Sequence, residues 1–365
     1  MLTKNIDLSK KRILITGAAG FIGANLVIEL MKRYPECQIL GIDNVNNYYD
    51  VGIKEYRLDR IAEAAQYDDQ FELVRGSIAD RDIVDRMFAE FKPEVVVNLA
   101  AQAGVRYSIE NPDAYMESNM IGFYNILEAC RHTYDNANNE GGADSTYSGV
   151  QHLVYASSSS VYGSNKKIPY SVDDKVDNPV SLYAATKKSN ELLAHAYSKL
   201  YGIPSTGLRF FTVYGPAGRP DMAYFGFTNK LIKGETIKIF NYGNCKRDFT
   251  FVDDIVEGVI NVMQVTPAEN DNGARYKVYN IGNNDPVNLL DFVDILQQEL
   301  ISAGVLPSDY DFEGHKELVP MQLGDVEITY ADVTALQEDF GFKPSTSLRD
   351  GLRAFAKWYK EYYRI

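Results

Sequence analysis

The stretch that decides the fold is Arg12-Ile13-Leu14-Ile15-Thr16-Gly17-Ala18-Ala19-Gly20-Phe21-Ile22-Gly23. It begins with an apolar, β-rich run, and a helical pattern follows the glycines over residues 24–30. Glycines between a strand and a helix allow a sharp turn and let the backbone approach a pyrophosphate, which the free amide groups of the helix N-terminus then bind. A glycine turn with a purely structural role has the same pattern, so further residues must decide between the two.

Further apolar runs alternate with helical patterns along the chain. They lie at residues 38–42, 71–74, 95–99, 152–155 and 206–210. Several are apolar throughout, which is typical of strands that are covered on both faces. The sequence therefore predicts an α/β fold with a doubly wound parallel sheet. The alternation weakens beyond Tyr214, so we expect a nucleotide-binding domain over residues 1–213 and a smaller α/β substrate-binding domain, interleaved with it, over residues 214–365.

Composition excludes several classes of protein. The 365 residues are 45% hydrophobic and carry a net charge of -13, which disfavours binding to nucleic acid in the absence of a concentrated basic patch. The chain has no apolar stretch long enough to span a bilayer and no signal-peptide pattern. Its three cysteines are far apart and form no disulfide or metal-binding motif, so we expect no metal and a reducing, cytoplasmic setting.

Asp43 strengthens the nucleotide-binding interpretation. It ends the second apolar run, 20 positions after Gly23. A carboxylate at this place can accept hydrogen bonds from the two ribose hydroxyls of an adenine nucleotide. Because the same carboxylate repels a 2′-phosphate, the sequence favours NAD over NADP.

Tyr183 and Lys187 are a candidate acid–base pair. They lie one helical turn apart at the start of a long helical pattern, and so face the same way. A nearby ammonium group and an oxidised nicotinamide both favour the phenolate, which makes tyrosine a usable base near neutral pH. The spacing alone proves little among 26 tyrosines, but a serine cluster at residues 157–160 ends the fifth predicted strand. Such a cluster can be a simple turn, yet ligands of parallel sheets bind at the carboxyl ends of strands.

Together these motifs resemble the extended short-chain dehydrogenase/reductases, a family with the Rossmann fold. Within it the chain is most similar to the nucleotide-sugar epimerases, in particular the UDP-glucuronate 4-epimerases. The resemblance covers nearly the whole chain. It includes the glycine motif, Asp43-Asn44 with Tyr48-Tyr49-Asp50 and Lys54, residues 98–106, the serine cluster, Tyr183 with Lys187, residues 209–216 and residues 247–254.

The resemblance implies a role for particular residues toward NAD and the reaction. Tyr183 is the base, Lys187 tunes it and holds the nicotinamide ribose, and Ser158 is the catalytic hydroxyl. The implied NAD contacts are Gly17, Gly20, Phe21, Ile22, Gly23, Asp43, Ala100, Gln102, Asn119, Tyr183 and Lys187. The implied reaction oxidises C4 of a sugar, lets the 4-keto sugar rotate about its pyrophosphate tether, and reduces it on the other face. One departure concerns the adenine contact, because Ser77 stands where many relatives have an aspartate.

The resemblance also implies a UDP-sugar site. Its predicted residues are Ser159, Ser160, Arg106, Thr212, Arg219, Arg247 and Asp325. Arg247 and Asp325 match contacts to the diphosphate and the uridine ribose, with Gln322 where some relatives have a second arginine. Arg219, Thr212 and the two serines are candidates to bind a C5 carboxylate. Structural alternatives are an ion pair of Arg247 with Asp248 or Asp253, and of Arg219 with Asp221.

Three other functions stay open at this point. A UDP-glucose or UDP-N-acetylglucosamine 4-epimerase uses the same machinery. UDP-glucuronate decarboxylases carry a glutamate at the place of Ser160, so the serine favours epimerisation. A non-catalytic NAD-sensing relative need not keep Ser158, Tyr183 and Lys187 together.

By family resemblance we expect a homodimer that packs through the helices around residues 113–132 and 189–200.

Overall fold

The computed structural model describes residues 1–139, 147–321 and 327–365. Seven parallel strands form the central sheet, in the order β10-β6-β5-β4-β1-β2-β3. These strands are β1 (Arg12–Thr16), β2 (Gln38–Asp43), β3 (Phe71–Arg75), β4 (Val95–Asn98), β5 (His152–Ser158), β6 (Ser205–Phe210) and β10 (Tyr276–Ile281). The prediction of a doubly wound parallel sheet is confirmed, and the six apolar runs coincide with the first six strands.

Helices cover both faces of this sheet and also pack against strands of the second part of the chain. They are α1 (Phe21–Arg33), α2 (Val51–Ala64), α3 (Arg81–Phe91), α4 (Tyr107–Glu110), α5 (Pro112–Tyr115), α6 (Phe123–Asn139), α7 (Leu182–Tyr201), α8 (Ala223–Ile232), α9 (Val252–Met263), α10 (Leu289–Ser302), α11 (Thr334–Phe340) and α12 (Leu348–Tyr363). Those that pack against strands of the second part include α8, α10 and α12. A π-helix (Met116–Gly122) joins α5 to α6, and 3-10 turns span Ser159–Tyr162 and Phe240–Gly243. None of the helices within the described residues is long and apolar enough to cross a membrane.

The apolar side chains of the central strands point alternately into two cores. Ile13 and Ile15 of β1 pack in the larger core, which includes residues of α1, α9 and α12. Leu14 packs in the smaller core, together with Phe88 of α3 and Phe123 of α6. A strand that is covered on both faces needs apolar residues at every position, which explains why these runs do not alternate with polar residues.

Two small sheets lie in the second part of the chain. β7 (Thr212–Tyr214), β9 (Lys246–Phe251) and β11 (Pro286–Asn288) form one, in the order β11-β9-β7. β8 (Ile237–Ile239) and β12 (Lys316–Leu318) form the other. The chain then returns through β10 to the large sheet, where it pairs with β6. The domain boundary at residue 213 stays a prediction, since β7 spans it.

Candidate active site

The glycine turn lies at the switch point of the large sheet. β1 is placed between β2 and β4, so the connections that leave β1 and β4 diverge and open a crevice. Gly17 has a φ of +74°, and an added Cβ would lie 2.8 Å from the backbone nitrogen of Ala100. A Cβ on Gly23 would lie 2.2 Å from the carbonyl oxygen of Gly17. The backbone is therefore tightly packed in front of the α1 N-terminus, where only glycine fits.

One cavity extends from this turn to α7. The predicted site residues that line it are Gly17, Gly20, Phe21, Ile22, Gly23, Asp43, Ala100, Gln102, Ser158, Tyr183, Lys187 and Arg219. Gly76, Ser77 and Ile78, which follow β3, line the same cavity. The position where many relatives have an aspartate therefore faces the cavity, with the shorter hydroxyl of Ser77 in its place.

Asp43 forms part of the cavity wall beside the glycine turn. It is buried at the end of β2, with 8% of its surface exposed. Its Oδ2 accepts the N–H of Ala19 at 3.1 Å, and its Oδ1 accepts the N–H of Val45 at 2.8 Å. These bonds fix the orientation of the carboxylate. Since each carboxylate oxygen has more than one lone pair, the group can still accept hydrogen bonds from ribose hydroxyls.

Tyr183 and Lys187 reach the cavity from the start of α7. The Ser181 hydroxyl caps this helix by accepting an N–H of the first turn at 3.1 Å, which fixes where the helix begins. Lys187 is buried, and its Nζ donates to the carbonyl oxygen of Ala156 in β5 at 3.0 Å. Ser158 ends that strand. The fold thus brings the three predicted catalytic residues to one wall of the cavity.

Burial has the largest influence on the pKa values of Tyr183 and Lys187. Burial raises the pKa of Tyr183, while a hydrogen bond with Ser158 and the positive charge of Arg219 counteract part of this effect on the pKa. Burial also lowers the pKa of Lys187 to about 8. Ser158 and Arg219 thus act in the direction of the phenolate, although burial outweighs them, and the tuning of Tyr183 by Lys187 stays a prediction.

Asn119 lies behind the cavity and connects two of its walls. The side chain is buried in the π-helix, where its Oδ1 accepts the N–H of Gln102 at 2.8 Å. Its Nδ2 donates to the carbonyl oxygen of Gln102 at 3.0 Å and to the hydroxyl of Thr186 in α7 at 3.1 Å. The side-chain amide of Asn119 therefore connects the segment after β4 to α7, the helix that carries Tyr183.

Arg219 reaches the cavity from the second part of the chain. Its guanidinium pairs with Asp221, with Nε–Oδ1 at 3.0 Å and Nη2–Oδ2 at 2.5 Å. The Tyr48 hydroxyl donates to the same carboxylate at 3.2 Å. The ion pair named above as the structural alternative is therefore present. It does not remove Arg219 from the cavity, since Arg219 still lines it and its charge acts on Tyr183.

The other predicted substrate residues lie outside the residues that line this cavity. Ser159 and Ser160 form the 3-10 turn after β5, and Thr212 begins β7 between two residues that line it, Phe211 and Val213. Arg106, which precedes α4, is exposed and stacks over a ring: its guanidinium carbon lies 5.1 Å from the Phe240 ring centroid.

The predicted diphosphate and uridine contacts lie farther along the chain. Arg247 of β9 donates from Nη1 to the carbonyl oxygens of Lys246 and Glu327, at 3.0 and 3.2 Å. The expected alternative partner Asp248 is instead fully buried, and its carboxylate accepts backbone N–H groups of residues 283, 284 and 331. Asp325 and Gln322 lie outside the described residues.

Some cavity residues had no role assigned from the sequence. They include Asn44, Asn46, Tyr48, Tyr49, Lys54, Ser118, Phe210 and Met222. The Nζ of Lys54 donates to Asn46 Oδ1 at 2.8 Å, and burial lowers the pKa of this lysine. Five of these residues lie in the run from Asn44 to Lys54 after β2. The family resemblance included part of this run but assigned it no function.

Comparison with curated proteins finds relatives that match nearly the whole chain. Protein CapI of Staphylococcus aureus is 47% identical over 364 residues, and the match covers 97% of this chain and 99% of that protein. UDP-glucuronate 4-epimerase 2 of Arabidopsis thaliana is 41% identical over 362 residues, which covers 96% of this chain and 76% of that protein.

Solved structures give the same picture. UDP-glucuronic acid 4-epimerase of Bacillus cereus, in complex with UDP-glucuronic acid and NAD, matches with a TM-score of 0.80 and 29% identity over 96% of this chain and 100% of that one. The model of the NAD dependent epimerase/dehydratase family matches residues 13–282, which include the glycine turn, Asp43, Tyr183 and Lys187. This chain therefore belongs to the NAD dependent epimerase/dehydratase family.

Proposed function

We propose that this protein is a UDP-glucuronate 4-epimerase, which interconverts UDP-glucuronate and UDP-galacturonate through a transient 4-keto sugar. One observation carries the proposal: Tyr183 and Arg219 line the same cavity, so a phenol suited to proton transfer lies near a guanidinium suited to a carboxylate. The similarity to the Arabidopsis and Bacillus proteins, whose names state this activity and substrate, supports it.

The cavity fits NAD, the cofactor of this family. The tightly packed turn at Gly17 and Gly23 would let a pyrophosphate approach the backbone amides at the N-terminus of α1, and Asp43 would accept hydrogen bonds from the adenosine ribose. When bound, NAD supplies a hydride acceptor that later returns the hydride, so no net oxidation results. Lys187 would hold the nicotinamide ribose, and Gln102 and Ala100 would line the cofactor's path.

Tyr183 and Ser158 would move the proton at the C4 hydroxyl. The hydrogen bond with Ser158 offsets part of the rise that burial causes in the pKa of Tyr183, so Ser158 acts in favour of the form of the phenol that accepts a proton. On the return half of the reaction Tyr183 would give the proton back to the C4 oxygen. Asn119 and Lys187 would keep α7 in place relative to the segments that follow β4 and β5.

Arg219, with Ser159, Ser160 and Thr212, would hold the C5 carboxylate. This matters because a 4-keto glucuronate is a β-keto acid, which loses CO₂ when its carboxylate bond aligns with the carbonyl π system. An epimerase must keep that bond out of alignment. Ser160 stands where the related decarboxylases carry a glutamate, so an additional carboxylate is not present at this place.

Arg247, Arg106 and Asp325 would bind the UDP end. A guanidinium matches the geometry of a diphosphate with two parallel hydrogen bonds. The Nη1 of Arg247 already donates to two carbonyl oxygens, which orients the fork and leaves its other nitrogens for the ligand.

Product analysis tests the proposed function directly. Purified protein is incubated with UDP-glucuronate and no added reductant, and the products are separated by chromatography and identified by NMR. We expect UDP-galacturonate without release of CO₂. Release of CO₂ with a UDP-pentose would instead identify a decarboxylase, and turnover of UDP-glucose or UDP-N-acetylglucosamine alone would identify one of the other epimerases.

Arg219→Ala tests the carboxylate site separately. We expect a higher KM for UDP-glucuronate, by about ten- to a hundredfold, and a measurable pentose by-product. Arg81→Ala is a matched control, because Arg81 of α3 also pairs with an aspartate, Asp85, but does not line the cavity. Normal epimerisation by Arg219→Ala without any pentose product would show that Arg219 does not hold the carboxylate.

We further propose a homodimer that acts in the cytoplasm. Ile121, Tyr124, Leu192 and Leu200 are exposed on the π-helix, α6 and α7, which are the expected contact helices. Burying such side chains against a second copy is favourable. Light scattering after size-exclusion chromatography tests this, and Leu192→Glu is expected to shift the protein toward the monomer.

A further inference from the structure

Arg57 of α2 is a buried cation that the proposed reaction does not use. Only 2% of the residue is exposed. Its guanidinium donates to the carbonyl oxygens of Ala217 at 2.8 Å, Ala19 at 3.1 Å and Gly218 at 2.9 Å, and to the Tyr49 hydroxyl at 2.7 Å. Within the described parts of the chain no carboxylate forms an ion pair with it. The structure therefore uses this charge to bind carbonyl groups, which is uncommon for a fully buried arginine.

The partners of Arg57 come from both sides of the cavity. Ala19 belongs to the glycine turn, whose N–H also binds Asp43. Ala217 and Gly218 directly precede Arg219. A guanidinium presents its donors in a rigid planar fork, so one side chain fixes the distance between these two segments. A lysine ammonium at the same place would reach fewer of these partners and would not hold them in a plane.

The segment next to Arg219 is strained. Ala217 has a φ of +51°, a left-handed conformation that is unfavourable for any residue with a Cβ. An added Cβ on Gly218 would lie 1.6 Å from the Tyr224 hydroxyl, so this residue packs directly on that ring. Backbone strain of this kind persists only where the surroundings hold it. Arg57 binds the carbonyl oxygens of both residues and is thus the side chain that holds the strained turn.

We propose that Arg57 is a positioning residue, which holds the Arg219 loop at a fixed place relative to the cofactor turn and thereby keeps the substrate carboxylate out of alignment with the 4-keto group. The last step rests on the proposed function; the positioning itself does not. If the loop shifts, the carboxylate of the 4-keto sugar can align. The C5–C6 bond then breaks and CO₂ leaves, while the electron pair of that bond forms the enolate of the C4 ketone. A proton from water adds to C5, and the product is a UDP-linked 4-keto pentose.

The test compares Arg57→Lys with Tyr56→Phe in protein saturated with NAD. Tyr56 is the neighbouring residue of α2; its hydroxyl accepts the Nε1–H of Trp358 at 3.1 Å, and its ring packs on Trp358 and Tyr362 of α12. Turnover of UDP-glucuronate is followed by the ratio of pentose products to UDP-galacturonate. We expect this ratio to rise about tenfold or more in Arg57→Lys, since small misplacements of bound groups have large effects. It should stay at the wild-type value in Tyr56→Phe.

A double variant separates positioning from a general loss of stability. If Arg57 acts through Arg219, the product ratio of Arg57→Lys/Arg219→Ala should not exceed that of Arg219→Ala alone. The proposal would be overturned if the two substitutions multiplied their effects on the product ratio in the double variant. It would also be overturned if the Arg57→Lys protein were less stable but kept the wild-type product ratio and KM. Should that variant not fold, Tyr49→Phe removes one partner of the guanidinium and keeps its charge. This milder variant should raise the ratio about twofold, and an unchanged ratio would count against the proposal.

Hydrogen exchange provides a readout that needs no substrate. In NAD-loaded protein, the peptide that covers residues 215–222 should exchange about tenfold faster in Arg57→Lys than in Tyr56→Phe. Equal exchange would refute the positioning role while leaving the proposed function intact. If the wild-type protein does not convert UDP-glucuronate, the proposed function fails, and the exchange rates then decide the role of Arg57 by themselves.

Discussion

Helix α7 and the loop of residues 215–222 border the same cavity but are fixed in different ways. α7 has 20 residues, a Ser181 cap at its start and Gly202 at its end. The loop contains the strained Ala217, and side chains from other segments hold it, above all Arg57. The residue proposed to move the proton, Tyr183, thus stands on a rigid element, whereas the residue proposed to select the substrate, Arg219, stands on a loop that other segments position.

A buried polar network explains the rigidity of α7. Glu191 and Arg209 form an ion pair with Nε–Oε1 at 2.8 Å, and each side chain is only 3% exposed. Ser157, next to the proposed catalytic residue Ser158, donates to Glu191 at 2.7 Å. Arg209 also donates to the Tyr162 hydroxyl at 2.9 Å. The network therefore joins α7, the end of β5 and β6, so the segments that carry Tyr183 and Ser158 cannot shift independently.

Tyr183→Phe is expected to have the largest effect. Without the phenol hydroxyl, proton transfer at C4 has no base, and kcat should fall by about 10²- to 10⁴-fold while the free energy of unfolding changes little. Stopped assays with UDP-glucuronate measure kcat, and circular dichroism reports the fold. Tyr201→Phe, at the other end of α7, is the matched control. A fully active Tyr183→Phe enzyme would remove Tyr183 from the mechanism.

Glu191→Ala should have the next largest effect, and it acts on stability. It leaves the Arg209 guanidinium buried without its carboxylate, which lowers the free energy of unfolding by about 3–5 kcal/mol. Urea denaturation measures this change. The exposed pair of Arg81 and Asp85 is the contrast, because its loss should change stability by less than about 1 kcal/mol. Equal effects at both pairs would show that α7 is not held as described.

The pKa of Lys187 predicts a pH dependence. Burial lowers this pKa to about 8 from 10.5. Between these two pH values the folded protein binds fewer protons than the unfolded chain, so its free energy of unfolding rises with pH. Relative to Lys187→Met, NAD-free wild-type protein should gain about 1–2 kcal/mol from about pH 8 to about pH 9.5. Denaturation at several pH values measures this, with the exposed Lys199→Met as control. If the difference in the free energy of unfolding between wild type and Lys187→Met did not change with pH, the lowered pKa of Lys187 would be contradicted.

Glycine substitutions should have small effects of opposite sign in the two regions. Ala217→Gly relieves the left-handed strain of the loop and should raise the free energy of unfolding by up to about 1 kcal/mol. Ala185→Gly in α7 should lower it by about 1 kcal/mol, because glycine is unfavourable within a helix. Both are measured by urea denaturation. A decrease for both variants would mean that the conformation of Ala217 stores no strain.

Features that depend on a short stretch of chain could be predicted from the sequence, whereas features that depend on distant segments could not. The first six strands were predicted from short runs that are mostly apolar. Most of these strands are covered on both faces, which favours apolar residues at nearly every position, and this pattern is local. The return of β10 to the large sheet was not visible, since nothing near residue 276 distinguishes pairing with β6 from pairing elsewhere. The influence of Arg219 on the pKa of Tyr183 was not predicted either. The spacing of four residues indicated only Lys187, whereas the fold also places the charge of Arg219 near Tyr183.

The sequence by itself determined the glycine turn, Asp43 and the pairing of Tyr183 with Lys187 on one helix face, because each depends on backbone geometry within a few residues or on one βαβ unit. Only the tertiary structure decided that Arg57 binds carbonyl groups 38, 160 and 161 residues away along the chain, and that Tyr48 meets Asp221 across 173 residues. Such contacts depend on how helices pack on the sheet and on which loops then meet. No local pattern encodes them, because an arginine or a tyrosine has the same neighbours in sequence whether it faces solvent or the cavity.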